Sequence, residues 1–442
     1  MKEREIALFI LMDIFQEGAY NNIILRKTLN THTELTSVQK AFVTELVNGT
    51  LRNLINIDYI IDKFSKTKTK KMKPFILNNL RIGAYQILYM DKIPMSAACN
   101  EAVILTKKRH FQTLSGFVNG VLRTIAREKD NIDYPSDTLK ALALKYSYPD
   151  WLVEYWSESM DINDLENTCK AFANPPRISL CVNTVKTDKK TLKAKLNNEG
   201  IAVDSDTLLD NSLYIYRINN ISESKCYNEG LFHIMDESSM LSVAALSPEP
   251  NSVVVDVCAA PGGKTFAIAE FMNNTGTVYS RDIYDHKLNL ISDGAKRLGL
   301  TSVKPQLKDA SKLDSEVKAD YVLVDAPCSG LGLLRKKPDI KYNKSMSDID
   351  DLALIQRDIL KASANIVKDG GVLVYSTCTI SPKENIDNVN WFCNEYGFSL
   401  ESIVDYMPDT VYSDTLSDGY IQLLPFEYGT DGFFIARMRK NG

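Results

Sequence analysis

The chain has 442 residues, is 44% hydrophobic and 24% charged, and carries a formal net charge of −4, all values of an ordinary globular protein. The length predicts two or three domains, and no run of about 18 apolar residues occurs, so no transmembrane helix is expected. The net charge by itself excludes no partner, because it is unevenly spread. Residues 1–130 hold 20 Lys and Arg against 12 Asp and Glu, and the remainder holds 32 against 44, which predicts a basic accessory domain on an acidic core.

The N-terminal MKEREIALFILMDIF carries acids within its first five residues, repeats its apolar positions at helical spacing and leads to no small-residue cleavage site. It reads as a helix and not as a signal peptide. The expected compartment is therefore the reducing cytoplasm, where disulfides are not expected. Eight cysteines stand at 99, 169, 181, 226, 258, 328, 378 and 393. None forms a CxxC pair, which argues against zinc, and no metal is expected.

Residues 1–128 read as nearly all helix. Apolar residues recur at three and four, as in Ile6, Leu8, Phe9, Leu11, Met12 and Phe15, and similar patterns cover 38–63, 74–90 and 97–127. A bundle of five to seven helices is expected. The run SKTKTKKMK (65–73) is the strongest basic cluster. It reads either as a solvated loop between helices or as a phosphate-contacting loop for RNA. Residues 129–145 look like a linker. From about 146 to 235 small α and β elements alternate. RISLCVNT (177–184) and SLYIYRI (212–218) read as strands, and KKTLKAKLNNEG (189–200) as a helix ending at Gly200. This is the signature of an α+β module.

After about residue 236 strands and helices alternate. The strands are SVVVDVC (252–258), GTVYSRDI (276–283), SVKPQLKDA (302–310), ADYVLVDA (319–326) and GGVLVYST (370–377), with helices over 264–272 and 286–298. The expected fold is a doubly wound parallel sheet, which places ligands at the carboxyl ends of its strands. The first strand runs into VDVCAAPGGKT (255–265), where glycines allow close backbone approach and a helix N-terminus offers free N–H groups. The stretch matches neither GxGxxG nor a Walker A loop. Asp256, Asp282, Asp309 and Asp325 end the first four strands, with Asp285 a weaker alternative to Asp282. A carboxylate after the second strand suits ribose hydroxyls, Asp309 suits an adenine amino group, and an acidic rim suits a positively charged nucleoside cofactor. The plainer reading of each acid is an exposed strand-end cap.

Cys328, in VLVDAPCSGLG (322–332), follows the fourth strand, and Cys378, in YSTCTI (375–380), follows the fifth. If those strands are neighbours, two thiols face one pocket. A thiolate that adds to carbon 6 of a pyrimidine turns carbon 5 into a nucleophile for an electrophilic methyl. Asp325 is placed to polarise the ring at its N3 side. The residues alone do not say which cysteine attacks. Aromatic candidates for stacking on an extruded base are Phe266, Tyr342 and Phe433.

These motifs resemble the Nol1/Nop2/Sun family of RNA (cytosine-5) methyltransferases. DVCAAPGGKT resembles its S-adenosylmethionine loop, DAPCSGLG its proline-cysteine motif, YSTCT its threonine-cysteine motif and QLLPFEYGTDGFFIARM (422–438) its closing strands. NPPRISLCVNT (174–184) and GLFHIMDESSMLSVAAL (230–246) resemble the segment that leads into the catalytic domain. FVTELVNGTLRN (42–53), LRIGAYQILYMDKIPMSAACNEAV (80–103) and GFVNGVLRTIARE (116–128) resemble the NusB-like RNA-binding domain of the RsmB (Sun, Fmu) branch. The resemblance implies three parts: an all-α NusB-like domain (1–130), a small α+β, RRM-like module (145–235) and an α/β Rossmann-like class I methyltransferase domain (236–442). It also implies methylation of 16S rRNA at the cytosine conventionally numbered 967, on the naked RNA or a small-subunit precursor. The cofactor would lie against Cys258, Ala259, Ala260, Pro261, Gly262, Gly263 and Lys264, with Asp282, Asp309 and Asp325. Cys378 would be the nucleophile and Cys328 would assist product release. The Pro-Cys context also resembles the nucleophile of DNA cytosine methyltransferases, which would exchange those roles. The competing readings are another rRNA or tRNA cytosine as target, a non-catalytic ribosome assembly factor, and a small-molecule methyltransferase.

Overall fold

The structure is a computed structural model that describes residues 2–216, 221–314 and 316–442. The chain divides into two units, 1–174 with 334–343, and 175–333 with 344–442.

The first unit is helical. Its bundle comprises Lys2–Glu17, Asn21–Thr31, Ser37–Arg52, Leu54–Phe64, Pro74–Tyr89, Met95–Lys108 and Ser115–Glu128. Each presents an apolar stripe to a shared core that includes Leu8, Val43, Leu46, Ile57, Leu80 and Leu122, all with 0% exposure. The helical pattern over 97–127 resolves into two helices, and so does that over 38–63. Asn53 interrupts the latter pair: its backbone N–H and its side-chain Nδ2 both donate to Gly49 O, at 3.1 and 2.9 Å, closing the first helix. Thr36 and Gln39 open that helix with a reciprocal capping box. The basic run 65–73 joins Leu54–Phe64 to Pro74–Tyr89 and is folded by Thr69, whose backbone N–H donates to Asp62 Oδ1 at 2.6 Å. Lys66, Lys68, Lys70, Lys71 and Lys73 are all exposed around that turn.

The expected linker 129–145 contains the start of a helix, Thr138–Tyr146, capped by Asp137. The helices Asp150–Ser157 and Ile162–Phe172 follow. They close over the fully buried Tyr148, Trp156 and Phe172 and belong to the helical unit. The segment 334–343 also belongs to it. Lys341 Nζ donates to Arg52 O at 2.9 Å and lies 4.3 Å from the ring centre of Tyr148, and burial pulls its pKa down to about 7. Tyr342 Oη donates to Leu51 O at 2.7 Å. Tyr342 is therefore structural packing of the helical unit, and it drops out as a base-stacking candidate.

The second unit holds two sheets. The smaller has β1 (Ile178–Val182), β2 (Ala202–Asp204), β3 (Ser212–Tyr216) and β4 (Phe232–Ile234) in the order β2-β3-β1-β4, all antiparallel. The helix Lys189–Asn198 packs on it through Leu192 and Leu196, as expected. The end of the predicted strand 212–218 lies partly outside the described residues.

The larger sheet holds β5 (Val253–Asp256), β6 (Thr277–Asp282), β7 (Val303–Leu307), β8 (Ala319–Asp325), β9 (Val367–Thr377), β10 (Phe398–Leu400), β11 (Tyr420–Leu423) and β12 (Phe433–Lys440). The first five run parallel in the order β9-β8-β5-β6-β7. Helices cover both faces, so Val254, Val255, Val322, Leu323, Leu373 and Val374 are fully buried or nearly so, which explains their near-continuous apolar runs. The sheet is mixed rather than all parallel: β12 adds antiparallel to β9, and β10 and β11 to β12. The helix Ile386–Tyr396 carries the chain from β9 to β10, and β12 then inserts antiparallel between the two. Among the described residues no helix is long and apolar enough to cross a membrane.

Candidate active site at the carboxyl ends of the strands

The strand order puts β8 beside both β5 and β9, so their carboxyl ends form one rim. The loop after β5 folds back on its neighbours: Val257 N–H donates to Leu323 O at 3.1 Å and Ala259 N–H to Arg281 O at 2.8 Å. Gly262 then caps the helix Gly263–Phe271 with φ +110, a left-handed conformation that disfavours any residue with a Cβ. A Cβ there would also stand 2.6 Å from the Phe266 ring. At Gly263 the nearest neighbour of a Cβ is 3.9 Å away, so the backbone at the helix N-terminus is open. An open glycine backbone at a helix N-terminus, beside an acidic rim, fits a nucleoside cofactor with a charged tail.

The four strand-end acids divide. Asp256 ends β5 but has 0% exposure. Thr265 Oγ1 donates to its Oδ2 at 2.7 Å, and burial pushes its pKa up to about 7. It anchors the loop from beneath and is not part of the ligand rim. Asp282 ends β6, with Oδ1 accepting from Tyr284 N–H at 3.0 Å. Asp282 is largely buried at the strand end, whereas Asp285 opens the next helix and is exposed. Asp309 stands two residues beyond β7, not at its end. It is exposed and folds its own turn, accepting from Ser311 N–H and Oγ at 2.9 and 2.7 Å, which holds its pKa below the usual carboxylate range. Asp325 ends β8 between two donors, Lys264 Nζ at 2.8 Å and Ser376 Oγ at 3.0 Å. Lys264 also lies 5.1 Å from the ring centre of Phe433. Phe266 and Phe433 are 6% and 2% exposed and pack in the core, so neither offers a face to a base.

The two thiols meet. Asp325 pairs with Ser376 across β8 and β9, and three residues further on Cys328 Sγ lies 3.1 Å from Cys378 Sγ. Gly332 locks this approach: its N–H donates to Cys378 O at 3.0 Å, and its own O accepts from Gly432 N–H at 3.0 Å. A Cβ on Gly332 would stand 1.8 Å from Gly432 O, so three backbones converge only because residue 332 has no side chain. The contact with Cys378, followed by burial and the nearby Glu384, pushes the Cys328 thiol pKa up. Burial does the same to Cys258.

Sequence reasoning missed Glu384. It is fully buried beneath the Cys328 loop. Oε1 accepts from Ser329 N–H at 2.8 Å and Gln356 Nε2 at 3.1 Å, and Oε2 accepts from Ser329 Oγ at 2.6 Å. Ser329 Oγ is also 2.8 Å from Thr379 Oγ1. One carboxylate thus fixes the residue after Cys328 and, through Thr379, the residue after Cys378. Asn385 continues the clamp, accepting from Thr377 Oγ1 at 2.5 Å and donating to Thr379 O at 3.1 Å. In sequence these residues are a polar turn after a strand, and no pattern marks them as buried.

Comparison with known proteins agrees with this architecture. The family described as 16S rRNA methyltransferase RsmB/F matches residues 243–439, the NusB family matches 1–127, and the RsmF/B-like ferredoxin-like domain matches 148–222. The chain is 41% identical to the probable ribosomal RNA small subunit methyltransferase B of Bacillus subtilis and 32% identical to that of Synechocystis, covering 99% of both chains in each case. The crystal structure of PH0851 superposes with a TM-score of 0.80 at 27% identity over 99% of both chains. NSun6 from Pyrococcus horikoshii, crystallised with SFG, superposes with a TM-score of 0.61 at 25% identity over 67% of this chain and 99% of that one. With a NusB domain, a ferredoxin-like module and a Rossmann-like domain in one chain, and relatives matched end to end, this protein belongs to the S-adenosylmethionine-dependent ribosomal RNA small subunit methyltransferase B family.

Proposed function

We propose that the protein methylates carbon 5 of a cytosine in 16S rRNA, at conventional position 967, through a covalent bond between Cys378 Sγ and carbon 6. The observation that carries this reading is the convergence of two thiols, 3.1 Å apart, beside Asp325 at the ends of adjacent strands. The cofactor, when bound, supplies an electrophilic methyl group. Cys378 thiolate adds to carbon 6, and the displaced electron pair makes carbon 5 nucleophilic toward that methyl. The Cys328 thiol passes its proton to the departing Cys378 sulfur, 3.1 Å away, and the Cys328 thiolate so formed takes the carbon 5 proton as the C–H electron pair re-forms the 5,6 double bond. Asp325, held by Lys264 and Ser376, would polarise the ring through a proton shared between its carboxyl group and cytosine N3.

The assignment of the two cysteines has a physical support that the sequence lacked. Two thiols at this separation do not both ionise. The contact with Cys378, then burial and the nearby Glu384, pushes the Cys328 thiol pKa up, which is compatible with Cys378 attacking and Cys328 serving as a proton carrier for product release. Residues Cys258 to Lys264, with Asp282, Asp309 and Asp325, would hold the cofactor. The NSun6 relative crystallised with SFG, an S-adenosylmethionine analogue, supports that reading. Residues 1–130 would bind RNA, 145–235 would guide it, and 236–442 would catalyse, in the cytoplasm. Substrate would be 16S rRNA or a small-subunit precursor.

The test uses RNA with 5-fluorocytosine at the target, incubated with S-adenosylmethionine. Fluorine blocks loss from carbon 5, so a denaturation-resistant protein–RNA adduct accumulates. The adduct is expected with wild type and Cys328→Ala and absent with Cys378→Ala. Loss only in Cys328→Ala exchanges the two roles. An adduct only with another rRNA or tRNA moves the target. No adduct with any RNA, in a protein that still binds the cofactor, overturns the covalent reading.

The exposed lysines of 65–73 supply the phosphate contacts in this reading. Lys66→Glu, Lys70→Glu and Lys71→Glu together are expected to weaken rRNA binding and to flatten the dependence of log K on log salt by about two to three. Unchanged affinity and slope would return the run to a plain helix-joining loop.

A further inference from the structure

A second cluster of reactive side chains lies behind the cofactor loop. Cys181 on β1 and His233 on β4 are directly opposed in the register of the small sheet. Glu270, near the far end of the helix that begins at Gly263, reaches between them. Its Oε2 is 3.8 Å from Cys181 Sγ and 3.4 Å from His233 Nε2. One ligand atom from each of the three residues lies within 4.8 Å of the others. All three residues are buried. Glu270 Oε1 and His233 Nδ1 have no hydrogen-bond partner among the described residues. A buried carboxylate with one oxygen unpartnered is costly unless a cation or donor completes it.

We propose that Cys181, His233 and Glu270 bind one divalent transition-metal ion of the zinc class. A thiolate, an imidazole and a carboxylate are the donor set of zinc, cobalt or iron, not of magnesium or calcium. Zinc takes such donors at about 2.0–2.3 Å in a tetrahedron. That geometry sets its ligand atoms roughly 3.3–3.7 Å apart, so the present separations need only small side-chain shifts. Asn211 adds a candidate fourth donor, since its Nδ2 is 3.9 Å from Cys181 Sγ and an amide turned over presents its oxygen instead. Asn211 and Glu270 also line a cleft of about 680 Å³ whose lining includes none of the cofactor or thiol residues. It gives an ion a path inward.

The ion would be structural. It would join the ferredoxin-like sheet to the helix whose other end carries Gly262 and Gly263. The His233 ring also meets Phe266 edge-on at 5.6 Å, and Phe266 packs beneath Gly262. Metal occupancy would therefore stiffen the floor of the cofactor loop. The three ligands are spread over 181, 233 and 270, without the close pair by which a zinc site announces itself in sequence.

The experiment is metal analysis of the purified full-length protein, followed by Co²⁺ titration of the chelator-treated form. The expected result is one equivalent of zinc, a thiolate-to-cobalt charge-transfer band, and a melting temperature that rises by several degrees with Zn²⁺. The band should vanish in Cys181→Ser and persist in Cys393→Ser. Glu270→Gln should weaken Co²⁺ binding at least tenfold, which keeps the test open if Cys181→Ser does not fold. Wild-type protein with neither bound metal, nor a charge-transfer band, nor a Zn²⁺-dependent melting shift overturns the proposal. A band that survives in folded Cys181→Ser assigns the ion to other thiols and overturns it equally.

Discussion

Cys328→Ala is expected to leave the first methyl transfer intact while turnover falls by about a hundredfold or more, the usual effect of losing a positioned acid or base. On unmodified rRNA this variant should accumulate a denaturation-resistant complex that already carries the transferred methyl group. The reason lies in the pair geometry. Cys328 Sγ is the group 3.1 Å from the sulfur that must leave carbon 6, and its contact with Cys378, then burial and Glu384, pushes its thiol pKa up. Its removal spares attack and cripples release. Single-turnover methyl transfer, multiple-turnover rate and gel-shifted protein measured on one preparation decide the point. A variant that neither transfers methyl in the first turnover nor forms the complex would make Cys328 the nucleophile.

The second large effect is expected at Glu384, a positioning residue that touches neither cofactor nor base in this reading. Glu384→Ala strips acceptors from Ser329 N–H, Ser329 Oγ and Gln356 Nε2 at once. Each buried donor left bare costs about 1–3 kcal/mol, and the Cys328 loop is the part free to relax. We expect kcat to fall about a hundredfold or more, equivalent to roughly 2.7 kcal/mol of barrier. Cofactor affinity should stay within about twofold, since the Glu384 carboxylate bonds none of the residues assigned to the cofactor. Glu384→Gln keeps the shape and an acceptor and should recover part of the loss. Both variants remove a negative charge near Cys328, so thiol alkylation should begin at lower pH than in wild type. Parallel loss of cofactor binding, or an unmoved alkylation profile, would mean that Glu384 serves the fold alone.

Much of this protein is written locally. The helical repeat of 1–128, the apolar runs of β5, β8 and β9, and the glycines and acids that punctuate them are short-range signals, because backbone conformation and strand burial depend on neighbouring residues. The motifs around Cys258, Cys328 and Cys378 are thus legible in the amino-acid order alone, and so is the family. Even so, the breaks within 38–63 and 97–127 and a helix inside an expected linker escaped the pattern, since capping hydrogen bonds and packing against distant residues decide where a periodic stretch begins and ends.

Tertiary structure decided the rest. Only the strand order makes β8 and β9 neighbours and brings Cys328 to Cys378 across a fifty-residue gap. Only folding separates Asp256, fully buried and bonded to Thr265, from Asp325, held between Lys264 and Ser376, although both look alike at the ends of apolar runs. Tyr342 joins the helical unit, Glu384 clamps both thiol loops, and Cys181, His233 and Glu270 meet from three separate elements. A sequence records which side chains are present and their local spacing. It does not record long-range proximity or burial, and these set the charge state, hydrogen-bond partners and reactivity of a polar group.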